Sequence, residues 1–146
     1  MPNKSLSPQE LRVWYAFQIM GEEVLARVGR DIAQATALSG PEFGVLSRLA
    51  ALGNGEMRQQ ALATVMGWEK SRLSHQLTRM QERGLIKRQS LDGQAVLIVL
   101  TKFGREKLVE ALPIRAESVR RHLLSRLSQQ QIDSLVRMSN ILTDDE

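Results

Sequence analysis

Apolar residues along this chain recur mostly at three- and four-residue intervals, the spacing of a helix that buries one face. In the first stretch they fall at Leu11, Trp14, Phe17, Val24, Leu25, Val28 and Ile32. Val13, Ala16, Ile19 and Met20 add apolar groups on other sides, which predicts a helix buried between two bodies. A capping box, Ser7-Pro8-Gln9-Glu10 with Pro at the first helical position, starts this helix, which runs to about Ala35. A second box, Ser39-Gly40-Pro41-Glu42, opens a helix with Phe43, Leu46, Leu49 and Leu52 on one side, ended by Gly53-Asn54-Gly55.

A short helix is expected over Arg58 to Met66, with Leu62, Val65 and Met66 apolar and Gly67 as its C-cap. Leu73, Leu77 and Met80 then predict a helix from about Lys70 to Arg83, stopped by Gly84, with Trp68 as a hydrophobic staple for Leu73. The period next shortens to that of strands, over 85–90 and 95–100, with Asp92-Gly93 as a hairpin turn between them. Thr101 caps a further helix in which Pro113 predicts a kink or a break. Val119, Leu123, Leu124 and Leu127 continue the apolar pattern. Ser128-Gln129-Gln130-Gln131 opens a last helix carrying Ile132, Leu135, Val136, Met138, Ile141 and Leu142, and the acidic tail TDDE is expected to fray.

The element order has a consequence for fold. A short helix and a longer one joined by a three-residue, glycine-containing turn form the helix-turn-helix signature. A hairpin directly after the second helix makes it a winged version. The expected fold class is therefore mainly α with a small β-hairpin: a winged helix-turn-helix lobe plus helical segments at both ends, within a single domain spanning 1–146.

Charge sharpens this picture. The net charge is +4, but residues 69–105 hold eight basic residues against Glu69, Glu82 and Asp92, a net of +5, while the rest of the chain is at −1. Positive charge gathered into a quarter of the length points to a polyanion partner. On the 70–83 helix the side opposite Leu73, Leu77 and Met80 carries Ser71, His75, Arg79 and Glu82, flanked by Arg72 and Arg83 and by Ser74 and Thr78. An ordinary solvated helix usually mixes Glu with Lys at i,i+4 spacing. Here the only acids stand at the two ends, and short polar groups with Arg and His can reach bases or phosphates in a major groove. A reading surface accounts for the pattern better than a wet face does.

The span from Leu38 to Leu108 resembles the MarR family of bacterial winged-helix regulators. The resemblance is carried by Leu38-Ser39-Gly40-Pro41-Glu42-Phe43, by Ala61-Leu62-Ala63 in the first motif helix, and by Ser71, Leu73 and Ser74 in the second. Arg83-Gly84-Leu85-Ile86 matches at its exit, and Leu100-Thr101 with Gly104 matches where the wing closes. The resemblance implies a homodimer in which the first helix (7–35) and the last two (109–143) of each subunit interlock, leaving 38–108 as the DNA-binding lobe. It implies pseudo-palindromic, double-stranded promoter DNA as partner, usually under repression, with release by a small, often aromatic or anionic effector bound below that lobe. On this basis Ser71, Arg72, Ser74, His75, Gln76 and Arg79 are expected to face DNA, with Lys87, Arg88 and Gln94 following its backbone or minor groove.

Two departures stand out. Family wings usually carry Asp-x-Arg at the tip, whereas this chain has Asp92-Gly93-Gln94; Gln can read a minor-groove acceptor, but the pull of an Arg into a narrow groove is lost. The short motif helix also has Glu56-Met57-Arg58 where a Ser or Thr cap is usual. The missing wing Arg supports an alternative, an interaction dimer on the same scaffold that does not read DNA.

Other chemistry finds little support. With no cysteine, disulfides, thiolate catalysis and Cys-based zinc sites are excluded. There is no nucleophile elbow, phosphate-cradling loop or plausible pair of catalytic acids, so no enzyme and no cofactor are expected. His122 near Glu110 and Glu117 makes a poor metal site, and His75 suits DNA better than a ligand. Trp14 and Phe17 could line an effector pocket or simply pack in the core or dimer interface. The longest apolar run, 95–100, is far too short to span a bilayer, and MPNKSLSPQE has no signal core. A cytoplasmic protein with no membrane partner is expected.

Overall fold

Local capping chemistry starts three of the helices in the computed structural model, which describes residues 4–144. Ser7, Ser39 and Ser128 each accept a bond from the amide three residues on, while the side chains of Glu10, Glu42 and Gln131 reach back to the serine amides. The bonds from the Ser7 backbone, and then from its hydroxyl, hold the Glu10 carboxyl below its ordinary pKa. The helices that follow are α1 (Pro8–Thr36), α2 (Gly40–Gly53) and α6 (Gln129–Thr143). Between them lie β1 (Glu56–Arg58), α3 (Gln59–Met66), α4 (Lys70–Glu82), β2 (Ile86–Ser90), β3 (Val96–Leu100), α5 (Lys102–His122) and a short 3-10 turn, Leu124–Arg126. The mainly helical, winged helix-turn-helix class expected from the sequence is what the chain adopts.

One detail departs from expectation, and a second narrows it. The sheet has three strands rather than two, in the order β1-β3-β2, all antiparallel. β1 pairs Glu56 with Val99, Met57 with Ile98 and Arg58 with Leu97, so the residues before α3 are held by the wing rather than by a side-chain cap. α5 runs unbroken through Pro113. Proline's fixed φ suits a helix, and both Pro113 and Val109, whose carbonyl loses its partner, are exposed, so water can satisfy that carbonyl. The interruption comes later, at the 3-10 turn. The acidic tail expected to fray ends beyond the described residues, which stop at Asp144 just after α6.

The chain divides into two compact units, Arg30–Arg115 and a second formed by the two ends, to Gly29 and from Ala116. In the first, Val45, Leu46 and Leu49 of α2, Leu62 of α3, Leu73, Leu77 and Met80 of α4, and Ile86 and Ile98 of the sheet are all fully or nearly fully buried. Among the described residues, every buried hydrophobic side chain lies between Ile32 and Ala111. The second unit has none. Its α1 stretch exposes Val13, Trp14, Tyr15, Phe17, Ile19, Met20 and Leu25, and α6 exposes Val136, Met138, Ile141 and Leu142. No helix of the described residues is long and apolar enough to cross a membrane.

Candidate nucleic-acid interface

The turn between α3 and α4 is set by Gly67, in the left-handed region at φ 66°, whose amide donates back to the carbonyls of Ala63 and Thr64. A side chain is strained there, which glycine avoids. The Trp68 amide donates to the Ala63 carbonyl at 3.1 Å, and Glu69 caps α4 with its backbone alone. Burial of Leu73, Leu77 and Met80 then fixes the rotation of α4 about its axis. Ser71, Arg72, His75, Thr78 and Arg79 are consequently exposed together, with Lys70 at the helix start.

Two of the residues expected on that face are placed differently. Gln76 is only 8 % exposed, and its amide oxygen accepts a bond from Arg79 Nη2 at 2.8 Å. Lying three residues after Leu73 and four before Met80, it shares their inner face, a signal that the spacing already held. Ser74 is half-buried, and its carbonyl accepts bonds from the Thr78 hydroxyl at 3.0 Å and from Arg88 Nη2 at 2.6 Å.

That last bond joins the wing to the recognition helix. Arg88 pairs with Ile98 in the β2–β3 ladder, is half-buried, and spends one guanidinium nitrogen on α4, while its Nε is buried without a partner. Lys87, its neighbour, is exposed, as is Gln94 at the wing tip, where Leu91 and Ala95 close the turn through a 2.8 Å bond. Among the described residues no carboxylate pairs with Lys70, Arg72, Arg79 or Lys87. The ring of Trp68 lies beneath the Arg72 guanidinium, 4.2 Å from centroid to carbon, a partnership the sequence reading did not assign.

A second unassigned pair fixes the far end of α4. Arg83, its C-cap, forms an ion pair with Glu42 of α2 and donates to the Ala37 carbonyl at 3.3 Å. Glu42 is 5 % exposed and at the same time accepts from the Ser39 amide, so one carboxylate caps α2 and anchors α4. No sequence rule links residues 41 apart. Glu42→Ala should lower the unfolding free energy by about 2 kcal/mol, the cap and part of a half-exposed ion pair together. Glu42→Gln, which can still accept from Ser39, should lose about half of that. Urea denaturation measures both, and equal losses would show that the charge contributes nothing.

Trp14 and Phe17, the candidate effector residues, stack on α1 with ring centroids 6.3 Å apart and planes 21° from parallel, both about half exposed.

A family model described as a domain of unknown function (DUF7343) matches residues 42–101. No curated protein matches in sequence. Among solved structures, AbsC, a MarR family transcriptional regulator from Streptomyces coelicolor, is 27% identical over 96% of this chain and 95% of its own, with a TM-score of 0.86. Sco3205, a MarR family transcriptional regulator from the same organism, solved in complex with DNA, is 25% identical over 96% of this chain and 89% of its own, with a TM-score of 0.87. The organohalide-sensing regulator RdhR-CbdbA1625 in its 2,4-dichlorophenol-bound form shares the fold at 23% identity, covering 97% of this chain and 84% of its own, with a TM-score of 0.80. The resemblance to the MarR family drawn from the sequence is borne out over nearly the whole chain.

Proposed function

We propose that this chain, a MarR-like winged helix-turn-helix protein, is a homodimeric DNA-binding transcriptional regulator that represses pseudo-palindromic promoter sites until a small effector releases it. The observation that carries the DNA-binding reading is the outer face of α4. Ser71, Arg72, His75 and Arg79 are exposed together beside Lys70, and no carboxylate among the described residues neutralises those cations. A face of this kind suits a major groove, with Arg addressing guanine and phosphate and Ser and His addressing base edges. The likeness to Sco3205, solved with DNA, supports the same reading.

Within it, Ser71, Arg72, His75 and Arg79 contact DNA directly and Ser74 stands at the edge of the face. Lys87 and Gln94 follow the backbone and minor groove from the wing. Gln76 and Arg88 act mainly through others: Gln76 orients Arg79, and Arg88 ties the wing to α4. Residues 38–108 form the reading lobe, and 7–35 and 109–143 pair with a second copy, which would cover the apolar surface that α1 and α6 leave open. Two recognition helices would then enter major grooves ~34 Å apart. The exposed Trp14–Phe17 stack offers an apolar, aromatic wall for an effector of aromatic or anionic character.

Salt dependence tests the reading. A face that meets about six phosphates should lose affinity for a selected operator by roughly 10³ between 50 and 200 mM salt. No retention on DNA even at 50 mM salt would instead favour an interaction dimer that does not read DNA, the reading to which the Gln94 wing tip lends weight.

A further inference from the structure

Arg72 stands in the first turn of α4, the part of a recognition helix that meets bases. Its guanidinium rests on the Trp68 ring at 4.2 Å, and the half-buried Trp68 is itself held by its backbone bond to Ala63. A long exposed Arg on a bare helix would sample many rotamers. Stacking on an indole favours one of them over the rest. Stacking uses the flat face of the guanidinium and leaves its edge N–H groups free, and it is the edge that binds guanine O6 and N7 in a bidentate pair.

We propose that Trp68 is a specificity-determining positioning residue, which holds Arg72 flat and outward so that Arg72 reads one guanine in each half-site. This rests on the DNA-binding reading above and adds a base preference to it. The ring carries no charge, so removing it leaves the electrostatic attraction to phosphate unchanged. Its loss should therefore act on sequence preference rather than on affinity for all DNA. An Arg72 that touched only phosphate would behave in the opposite way, contributing to every sequence equally and to the salt slope.

The test measures full-length chains against a selected operator and every single-base change in it. Wild type should prefer guanine at one position of each half-site by about tenfold. Arg72→Lys keeps the charge but loses the planar fork, and Trp68→Leu loses the stack; each should reduce that preference to about twofold, leaving other positions and the salt slope unchanged. Trp68→Phe, a weaker platform, should fall between. In the DNA-free protein, the Arg72 side-chain proton resonances should be shifted upfield by the indole ring current, a readout that a merely structural Trp68 elsewhere in the turn would not produce. If Trp68→Leu fails to fold, Trp68→Phe and Arg72→Lys decide the matter, because both retain the local packing or charge. A preference map unchanged in the folded variants, or an Arg72→Lys chain weakened equally on all sequences, would overturn the proposal while leaving DNA binding intact. A wild type that selects no sequence from a random pool would overturn the DNA-binding reading itself, and this inference with it.

Discussion

A chain carrying Ile141→Asp and Leu142→Asp should sediment as a monomer at micromolar concentration, where the unaltered chain is expected to sediment as a dimer. Its affinity for a two-half-site operator should fall on the order of a thousandfold, the advantage lost when one linked site is removed. α6 buries no side chain among the described residues although its sequence is strongly amphipathic. Ile141 and Leu142 are 75 % and 71 % exposed, and Leu25 of α1 is 74 % exposed. Large apolar side chains left this open are expected to be covered by association. A closed two-fold dimer is the commonest way to cover one. Neither Ile141 nor Leu142 is packed within its own chain, so Asp there costs the monomer little. In a dimer core each carboxylate would lose its water, which the interface could not repay. Sedimentation separates the outcomes. A double variant that remains dimeric, or an unaltered chain that is already monomeric, would remove α6 from the interface.

Gly104→Ala should lower the melting temperature by about 10 °C, the equivalent of roughly 3 kcal/mol in a chain of this size. The cause lies at the junction between the wing and α5. The Thr101 hydroxyl faces the carbonyls of Gly84 at 2.6 Å and Leu85 at 3.0 Å and accepts the Gly104 amide at 2.9 Å. The Thr101 amide donates to the same Leu85 carbonyl at 3.3 Å. These bonds hook the start of α5 onto the chain just leaving α4. A Cβ at Gly104 would stand 2.1 Å from the Leu85 carbonyl oxygen and 3.0 Å from a methyl of Leu100. The first obstacle is backbone and cannot swing aside, so the hook itself must open. Because that hook closes the wing against α4, operator affinity should fall with stability, and differential scanning calorimetry beside a binding isotherm would register both. A Gly104→Ala chain with unchanged melting would mean that α5 shifts freely, contrary to the bonding at Thr101.

Gly104 also marks how far the sequence could be read. Its place after Leu100-Thr101 was recognisable as part of a pattern, yet the reason for a glycine there, a carbonyl 19 residues back, was not. The capping boxes at Ser7, Ser39 and Ser128 and the turn at Asp92-Gly93 were legible because their bonds close within three or four residues, so the residue types alone identify them. β1 was illegible because three residues, Glu-Met-Arg, have no alternation to detect and become a strand only by pairing with β3. Pro113 was legible as a residue that weakens a helix but not as one the surrounding helix would tolerate.

The candidate interface divides along the same line. Apolar spacing by itself determined that Leu73, Leu77 and Met80 turn inward, and hence that Ser71, Arg72, His75 and Arg79 turn outward as a charged, hydroxyl-bearing face. It also determined the order of elements, and with it the winged helix-turn-helix. Tertiary structure alone decided how the basic residues are divided between holding the lobe together and facing outward. Arg83 is drawn to Glu42 across 41 positions and Arg88 to the Ser74 carbonyl across 14, so two of the cations that seemed alike in the sequence act within the fold. The physical reason is range. Helical periodicity and capping are set by neighbours one turn away, whereas the partner of a long, flexible guanidinium depends on which distant backbone or carboxylate the packed core brings within about 3 Å of it.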